Sequence, residues 1–255
     1  LTTRRQRQMC IRDRNINFMA LPKLNVPKYK LKLPSDGRTV NFRPFLVKEE
    51  KLLLMATESG EQSELISAVT DIIKACTDVQ DVDKLPTFDI EYLFLQIRTK
   101  SVGETIKLTV TCPDDGETPV EVSIPLDEIK VAKTRGHKKD LKVSSDVTIT
   151  MGYPKLDTFV SMNFQEGDSP GMDQVFDMAA SCLETISDAE QVYDCSDTPK
   201  KEILDFFDQM DTKQFTMIQN FFETMPKLQH KLKVTNPNTN VESEVVLEGL
   251  ASFFA

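Results

Sequence analysis

The pattern of hydrophobic and polar positions predicts short β-hairpins separated by amphipathic helices. Apolar and polar residues alternate in three pairs of short segments, and a turn sequence rich in Asp, Asn, Gly or Pro separates the two segments of each pair. The predicted hairpins join residues 29–33 to 39–42, 106–110 to 120–124, and 232–234 to 245–247. A further alternating strand is predicted over residues 147–151.

Apolar residues spaced three and four positions apart predict six helices. In the first of them, residues 52–55 are apolar at four consecutive positions, which predicts burial on more than one face. Thr87 is expected to cap the third helix, and Ser169 with Pro170 the fourth, while Asp211 has the spacing of a capping box for the sixth. The apolar positions of these helices span residues 45–58, 65–76, 90–97, 175–186, 203–210 and 215–222, and Thr198 with Pro199 is expected to start the fifth helix.

These elements predict an α+β fold in which helices pack with short antiparallel β-hairpins. Residues 165–171 are polar, contain Gly and Pro, and mark the predicted boundary between two halves. Residues 19–165 are the N-terminal α+β half, and residues 166–255 are a C-terminal helical half that ends in a hairpin. Residues 78–84 and the lysine-rich residues 130–145 are predicted to be connections.

One short sequence occurs twice in the chain. Residues 107–113 and residues 231–237 are identical at five of seven positions. Each segment follows a short aromatic-rich helix and leads through a polar turn to a strand that contains Glu-Val. The repetition predicts a duplicated helix-plus-hairpin unit, and chance similarity between two strands that precede a proline turn is the alternative.

Residues 1–18 are interpreted as a non-native leader. Residues 4–14 contain five arginines and resemble the in-frame translation of a transposon adapter used in making sequencing libraries. A natural basic arm for nucleic acid or lipid is the alternative. The first interpretation is favoured because the match covers the whole run and Met19 offers a start directly after it.

Composition narrows the classes of protein that fit. The chain has 255 residues, 40% of them hydrophobic, and a formal net charge of -9. An acidic surface disfavours general binding to nucleic acid or to anionic membranes. No apolar run approaches the roughly 18 residues that a membrane-spanning helix needs. Five irregularly spaced cysteines suit a reducing compartment, so a cytoplasmic place of folding is expected.

No catalytic, cofactor-binding or metal-binding residue is assigned from the sequence. Of the two histidines, His137 lies in the lysine-rich connection and His230 just before a predicted strand, and both are interpreted as surface residues. The chain has no glycine-rich phosphate loop and no His-Glu-x-x-His motif. Carboxylates are abundant, and an enzyme with an unrecognised carboxylate site therefore stays as one hypothesis.

The turn at Cys112 resembles half of a zinc knuckle. Such turns read Cys-Pro-x-Cys-Gly, but Asp115 stands where the second thiolate would be. The equivalent turn of the repeat has Asn236 and Thr239 at the two ligand positions. A degenerate knuckle without metal is the interpretation that fits these substitutions.

The other cysteines and the chain end are interpreted structurally. Cys76 and Cys182 fall on apolar helix faces, where buried thiols are expected. Cys195 lies next to Asp194, an unfavourable setting for a reactive thiolate. The apolar end at residues 249–254 is expected to fold back onto the core, with docking on a neighbouring subunit as the alternative.

Five motifs of mixed composition stand out in the sequence, namely Met19–Asn25, Arg43–Lys51, Leu85–Leu95, Lys100–Glu104 and Phe221–Leu228. They resemble the baseplate hub proteins of contractile-tailed, T-even-like bacteriophages. The resemblance is strongest over residues 19–125 and is weaker but collinear in the C-terminal half.

The resemblance implies a structural or assembly role in the hub of the tail baseplate, with no catalytic residues to transfer. It implies other baseplate hub proteins as partners, membership of a hetero-oligomeric assembly, and neither nucleic acid nor membrane as a ligand. Assembly in the host cytoplasm and a final location in the virion tail baseplate are expected. A morphogenetic chaperone that is absent from the mature virion is the alternative.

Overall fold

Short antiparallel sheets and helices alternate along the chain. The computed structural model describes residues 24–103, 105–156 and 172–249. Within these ranges it has six α-helices and eleven strands, so the predicted α+β fold is confirmed. The helices are α1 (Val47–Ser59), α2 (Gln62–Cys76), α3 (Thr87–Ser101), α4 (Met172–Ser181), α5 (Lys200–Phe207) and α6 (Thr212–Thr224). The strands are β1 (Tyr29–Lys32), β2 (Thr39–Phe42), β3 (Thr105–Thr111), β4 (Pro119–Pro125), β5 (Lys130–Ala132), β6 (Asp140–Lys142), β7 (Thr148–Met151), β8 (Leu183–Ser187), β9 (Val192–Asp194), β10 (Lys227–Thr235) and β11 (Glu242–Glu248).

The strands form four antiparallel sheets, each with two to four strands. β1 pairs with β2, and β3 pairs with β4. The other two sheets have the strand orders β11-β10-β5 and β6-β7-β8-β9. All three predicted hairpins are confirmed, and the last has Leu232 opposite Val245.

The first hydrophobic core lies between the β1–β2 hairpin and helices α1 to α3. Gly37, at φ +74°, supplies the left-handed backbone conformation that the hairpin turn needs. Helix α3 contributes the most deeply buried side chains, including Leu93, Phe94 and Ile97. The helix therefore forms the centre of this part of the fold.

Two further cores hold the rest of the described chain. One joins the sheet that contains β7 to helices α4, α5 and α6, with Phe176 stacked on Phe215 at 4.2 Å between ring centroids. The other joins the β3–β4 and β10–β11 hairpins to Leu95 of α3 and to Ile129.

The boundary at residues 165–171 lies outside the described residues, as do Ser169, Pro170, the leader and the terminal phenylalanines. On either side of the boundary, strands of one predicted half pair with strands of the other: β5 pairs with β10, and β7 pairs with β8.

The prediction that α1 is buried on more than one face is wrong. Its buried side chains are Glu49, Leu53 and Ala56, which lie on one side of the helix. Leu54 and Met55 are 55% and 68% exposed. The helix lies at the outside of the first core, so only one face packs against that core.

Two predicted connections contain regular structure. The lysine-rich residues 130–145 include β5 and β6, which a low hydrophobic content concealed. Residues 78–84 include a short 3-10 helix, Val82–Lys84, whose Val82 is fully buried. Val79 and Val82 anchor this segment in the first core.

The predicted helix 175–186 is in part wrong, because α4 ends at Ser181. Ile186 lies instead in β8, opposite Ile149 of β7. β-branched residues at 185 and 186 suit a sheet, and tertiary pairing overrides the helical spacing. Thr87 is the first residue of α3 rather than its cap, and its hydroxyl donates to the carbonyl of Pro154.

Candidate functional site

The turns of the two related hairpins meet at a single point, which we call the turn junction (residues 112–116 and 236–240). In each turn the carbonyl of the first residue accepts the N–H of the fifth: Gly116 donates to Cys112 at 2.9 Å, and Asn240 donates to Asn236 at 2.8 Å. Gly116 and Asn240 both have positive φ, at +67° and +58°. The two turns thus share one backbone geometry, which supports the duplication predicted from the sequence.

Side chains of the two turns bond to one another across the junction. Asn236 is fully buried, and its Nδ2 donates to Asp115 Oδ2 at 2.7 Å and to Asp114 Oδ1 at 3.0 Å. Thr239 Oγ1 donates to Asp114 Oδ2 at 2.5 Å. Hydrogen bonds therefore join the two turns through Asn236 with Asp115 and through Thr239 with Asp114.

Electrostatics at the junction favour carboxylates over a thiolate. The Thr118 hydroxyl and the N–H groups of Thr118 and Glu117 lower the pKa of Asp115, and Thr239 with Asn236 lowers the pKa of Asp114. Burial, with these two carboxylates nearby, raises the pKa of the Cys112 thiol. Zinc binds the thiolate form of cysteine, so this setting weakens the only sulfur ligand of the pattern.

His137 is half-buried, and its interpretation as a surface residue is wrong. The imidazole lies against the rings of Phe221 and Tyr153, at 4.9 and 5.7 Å between centroids. Its Nδ1 lies 3.0 Å from Thr224 Oγ1, and Thr224 donates its own proton to the carbonyl of Asn220. Nδ1 then carries the imidazole proton, and the buried Nε2 has no hydrogen-bond partner in the part of the chain that the structure describes.

The surroundings of both histidines differ from those of a general base. Burial and the neighbouring Lys139 lower the pKa of His137. His230 lies within β10 rather than before it, where it is half-buried opposite Leu247. Aromatic packing positions His137, and sheet pairing positions His230, so both residues have structural roles in the described chain.

Asp89 is a fully buried carboxylate near the start of α3. It accepts hydrogen bonds from the N–H and from the hydroxyl of Ser35 in the β1–β2 turn. Burial raises the pKa of Asp89 even though both bonds favour the charged form. The residue joins the first hairpin to α3, and its place in the first turn of that helix also suits the helix dipole.

Asp89→Asn is expected to remove a pH-dependent loss of stability. Because the folded pKa of Asp89 lies above the unfolded value of 3.8, the native state holds the proton more tightly than the unfolded state does. Wild-type stability from this group is therefore complete below 3.8 and declines as the pH rises through the folded pKa. In urea unfolding from pH 3 to 7, the free energy of unfolding of the variant should rise relative to that of the wild type as the pH increases above 3.8. A difference between the two proteins that does not change with pH would contradict the prediction.

Four cysteines lie in the described chain, and all are buried free thiols. Burial raises the pKa of Cys76 to about 11 and that of Cys182 to about 12, and it also raises the pKa of Cys195. Thiols with such pKa values are protonated at neutral pH and react slowly. Cys182 follows α4 rather than lying on its face, but it is buried as predicted.

The outward side of α1 carries apolar residues, which we call the apolar face of α1 (Val47, Leu54 and Met55). These side chains are 67%, 55% and 68% exposed, and they lie on the side of the helix opposite Leu53 and Ala56. Single exposed apolar residues are common, but neighbours on one helical face form a patch. Patches of this kind occur where another protein binds.

Comparison with known families decides the class of protein. The family model described as T4 bacteriophage base plate protein matches residues 26–255. The chain belongs to this family. Neither the curated proteins nor the solved structures contain a match. The resemblance noted in the sequence is thereby confirmed for a baseplate protein of a T4-like phage.

Membership has direct consequences for this baseplate protein. It is a structural protein of the phage baseplate, its location is the virion tail, and it interacts with other baseplate proteins. Among the described residues, no helix is both long and apolar enough to cross a membrane. The same part of the chain has no cluster of three His, Cys, Asp or Glu residues arranged to hold a metal ion.

Sequence reasoning found some of the features of this baseplate protein that bear on function and missed others. The structure brings together the two turns that the internal repeat had singled out. The apolar face of α1 was missed because its four consecutive apolar residues were assigned to a core. Val47 lies two helical turns before Leu54 and therefore on the same side of the helix. This spacing could have indicated a second, outward-facing stripe.

Proposed function

We propose that this baseplate protein is a non-catalytic subunit of the baseplate hub that holds other hub proteins through protein–protein interfaces. The apolar face of α1 is the observation that carries the proposal, since its side chains are exposed among the described residues. The motifs that resemble hub proteins support the hub as the location. Other hub proteins of the same phage are the proposed partners, in a hetero-oligomeric assembly formed in the host cytoplasm.

The absence of catalysis is part of the proposal and is supported by the state of the reactive groups. The described thiols are buried with raised pKa values, and His137 is enclosed by aromatic rings. Asp114 and Asp115, the closest carboxylates at the turn junction, are engaged by Asn236 and by threonine hydroxyls. These groups stabilise the fold in the positions that they occupy.

The proposal predicts that charges on the apolar face of α1 prevent incorporation. Leu54→Glu with Met55→Glu should lower the number of copies per purified particle at least about tenfold, because a buried interface does not accept unpaired carboxylates. Melting temperature should stay within a few degrees of the wild type, since both side chains are exposed. Quantitative mass spectrometry of particles from a complemented deletion phage gives the copy number.

A matched control separates the interface from the added charge. Ser63→Glu with Ser67→Glu adds the same charge to exposed positions of α2. This variant should be incorporated like the wild type. Wild-type copy numbers for the α1 variant would contradict the proposal, and an equal loss for both variants would show that added charge alone blocks assembly.

A further inference from the structure

After the arginine-rich residues 4–14, positive charge is concentrated in one segment of this acidic protein. Between residues 130 and 142, which we call the basic segment, six of thirteen side chains are Lys or Arg and one is acidic. The whole chain has a net charge of -9. The six cations are Lys130, Lys133, Arg135, Lys138, Lys139 and Lys142.

The charges of the basic segment are left almost without carboxylate partners. All six side chains are exposed, and within the described chain only Lys139 has a carboxylate in reach, Glu184 at 3.8 Å. Lysines of neighbouring hairpins behave differently, for example Lys107, which pairs with Glu121 at 3.0 Å. The single acid of the segment, Asp140, accepts instead from the hydroxyl of Thr150.

The basic segment also joins two open sheet edges. β5 is the outer strand of the β11-β10-β5 sheet, and β6 is the outer strand of the β6-β7-β8-β9 sheet. Within the described ranges each pairs on one side only, so the other side presents backbone N–H and C=O groups that can accept a further strand. Side chains alternate along both strands, with Val131 and Leu141 turned inward and charged residues outward.

Protection of these edges does not account for all the charge. Lysine on an edge strand discourages unwanted pairing, and Lys130 and Lys142 suit that purpose. Lys133, Arg135 and Lys138 lie in the turn between the strands, where there is no edge to protect. Lys133 donates to the carbonyl of Pro34 at 2.6 Å, while neither Arg135 nor Lys138 has a carboxylate within 4 Å among the described residues.

We propose that the basic segment is the docking surface for an acidic, extended segment of another baseplate protein. Carboxylates of that partner would pair with the exposed Lys and Arg side chains, and its backbone would add to the open edge of β5 or β6. A protein is the favoured polyanion because the remaining acidic surface repels a nucleic acid, whose charge extends far beyond the segment. This inference rests on the proposed function and names the chemistry of one partner.

Zero-length crosslinking of purified particles tests the inference. A carbodiimide joins a lysine amine only to a carboxylate in contact with it. Mass spectrometry should find Lys133, Lys138 or Lys142 joined to Asp or Glu of a different baseplate protein. Links only to a second copy of this chain, or no links while lysines elsewhere react, would overturn the inference.

Variants that remove positive charges give a second test, in which the copy number per particle is measured. Arg135→Gln, Lys138→Gln and Lys142→Gln together should lower the copies per particle at least about tenfold, with an unchanged melting temperature. Lys30→Gln, Lys201→Gln and Lys213→Gln remove three exposed charges elsewhere and should change the copy number less than about twofold. Equal copy numbers for the two triple variants would overturn the inference.

Two other outcomes distinguish this inference from binding of nucleic acid and from the hub-subunit proposal. Binding of a 20-base-pair DNA duplex by the wild-type full chain at physiological salt, lost in the first triple variant, would replace the acidic protein with nucleic acid as the partner. Absence of the chain from particles would contradict the hub-subunit proposal alone. In that case the same crosslinks are expected in tail-assembly intermediates, and their absence there would overturn the docking inference as well.

Discussion

Glu49→Ala is expected to lower the free energy of unfolding by about 3 kcal/mol, since it removes one partner of a buried ion pair. Glu49 is 4% exposed, and its Oε1 accepts from Arg43 Nη2 at 2.9 Å. Its Oε2 accepts from the N–H of Leu46 at 2.8 Å, which closes the start of α1. In the variant, Arg43 can still donate hydrogen bonds to the carbonyls of Pro44 and Ala75. The loss of free energy should therefore stay near the lower end of the range for broken buried ion pairs.

Urea unfolding at pH 7 measures this loss, and Lys48→Ala is the matched control. Lys48 Nζ lies 3.2 Å from the same carboxylate, but its side chain is 71% exposed. Its removal should cost less than about 0.5 kcal/mol, as is usual for an exposed pair. Equal losses for the two variants would contradict a buried Arg43–Glu49 pair.

The same carboxylate gives a pH dependence with a definite sign. Burial disfavours the charged form of Glu49, but hydrogen bonds from Arg43, Leu46 and Lys48 outweigh it and hold the pKa below the ordinary value of 4.5. The stabilisation is therefore present above 4.5 and is lost as the pH falls through the folded pKa. Glu49→Gln should lack this loss, so the difference between variant and wild type should shrink in acid.

Asn236→Ala is expected to lower the free energy of unfolding by about 1–3 kcal/mol through the loss of a buried hydrogen-bonding side chain. Nδ2 of Asn236 bonds to Asp114 and Asp115, and Oδ1 accepts the N–H of Asn238 at 2.8 Å. Removal leaves the two hairpin turns without their central link. Thermal and urea unfolding of the full chain both measure the loss.

Asn238→Ala is the control for the turn junction. Asn238 lies two residues further along the same turn, and its exposed side chain donates to Thr118 Oγ1 at 3.0 Å. It should cost less than about 0.5 kcal/mol. Asn236→Asp should destabilise at pH 7, because it places a third carboxylate beside two others, and should recover on acidification. A cost for Asn236→Ala no greater than that for Asn238→Ala would contradict the assigned role.

Local signals predicted the hairpins and most helices correctly. The Asp36-Gly37 turn and the Asp211–Gln214 capping box depend on residues close in the sequence, and both are present. The spacing of apolar residues gave wrong predictions where contacts with the rest of the fold decide burial or secondary structure. Leu54 and Met55 are exposed although apolar, and Ile186 continues a helical stripe but pairs in a sheet.

The candidate sites were predictable only in part, because their contacts join distant residues. The internal repeat identified both turns of the junction, but Asn236 and Asp114 are separated by 122 positions. No local pattern states that two such turns meet. Likewise, the enclosure of His137 depends on Phe221 and on Thr224, 87 positions away. His137 was interpreted as a surface residue because its neighbours in the sequence are lysines.

Quantitative mass spectrometry of purified phage particles and of tail-assembly intermediates tests the central claim most directly. The claim is that this baseplate protein is a structural subunit of the hub. It predicts a fixed, small number of copies in the intermediates and the same number in the finished particle. Presence in the intermediates and absence from the particle would contradict it and would identify the protein as an assembly chaperone.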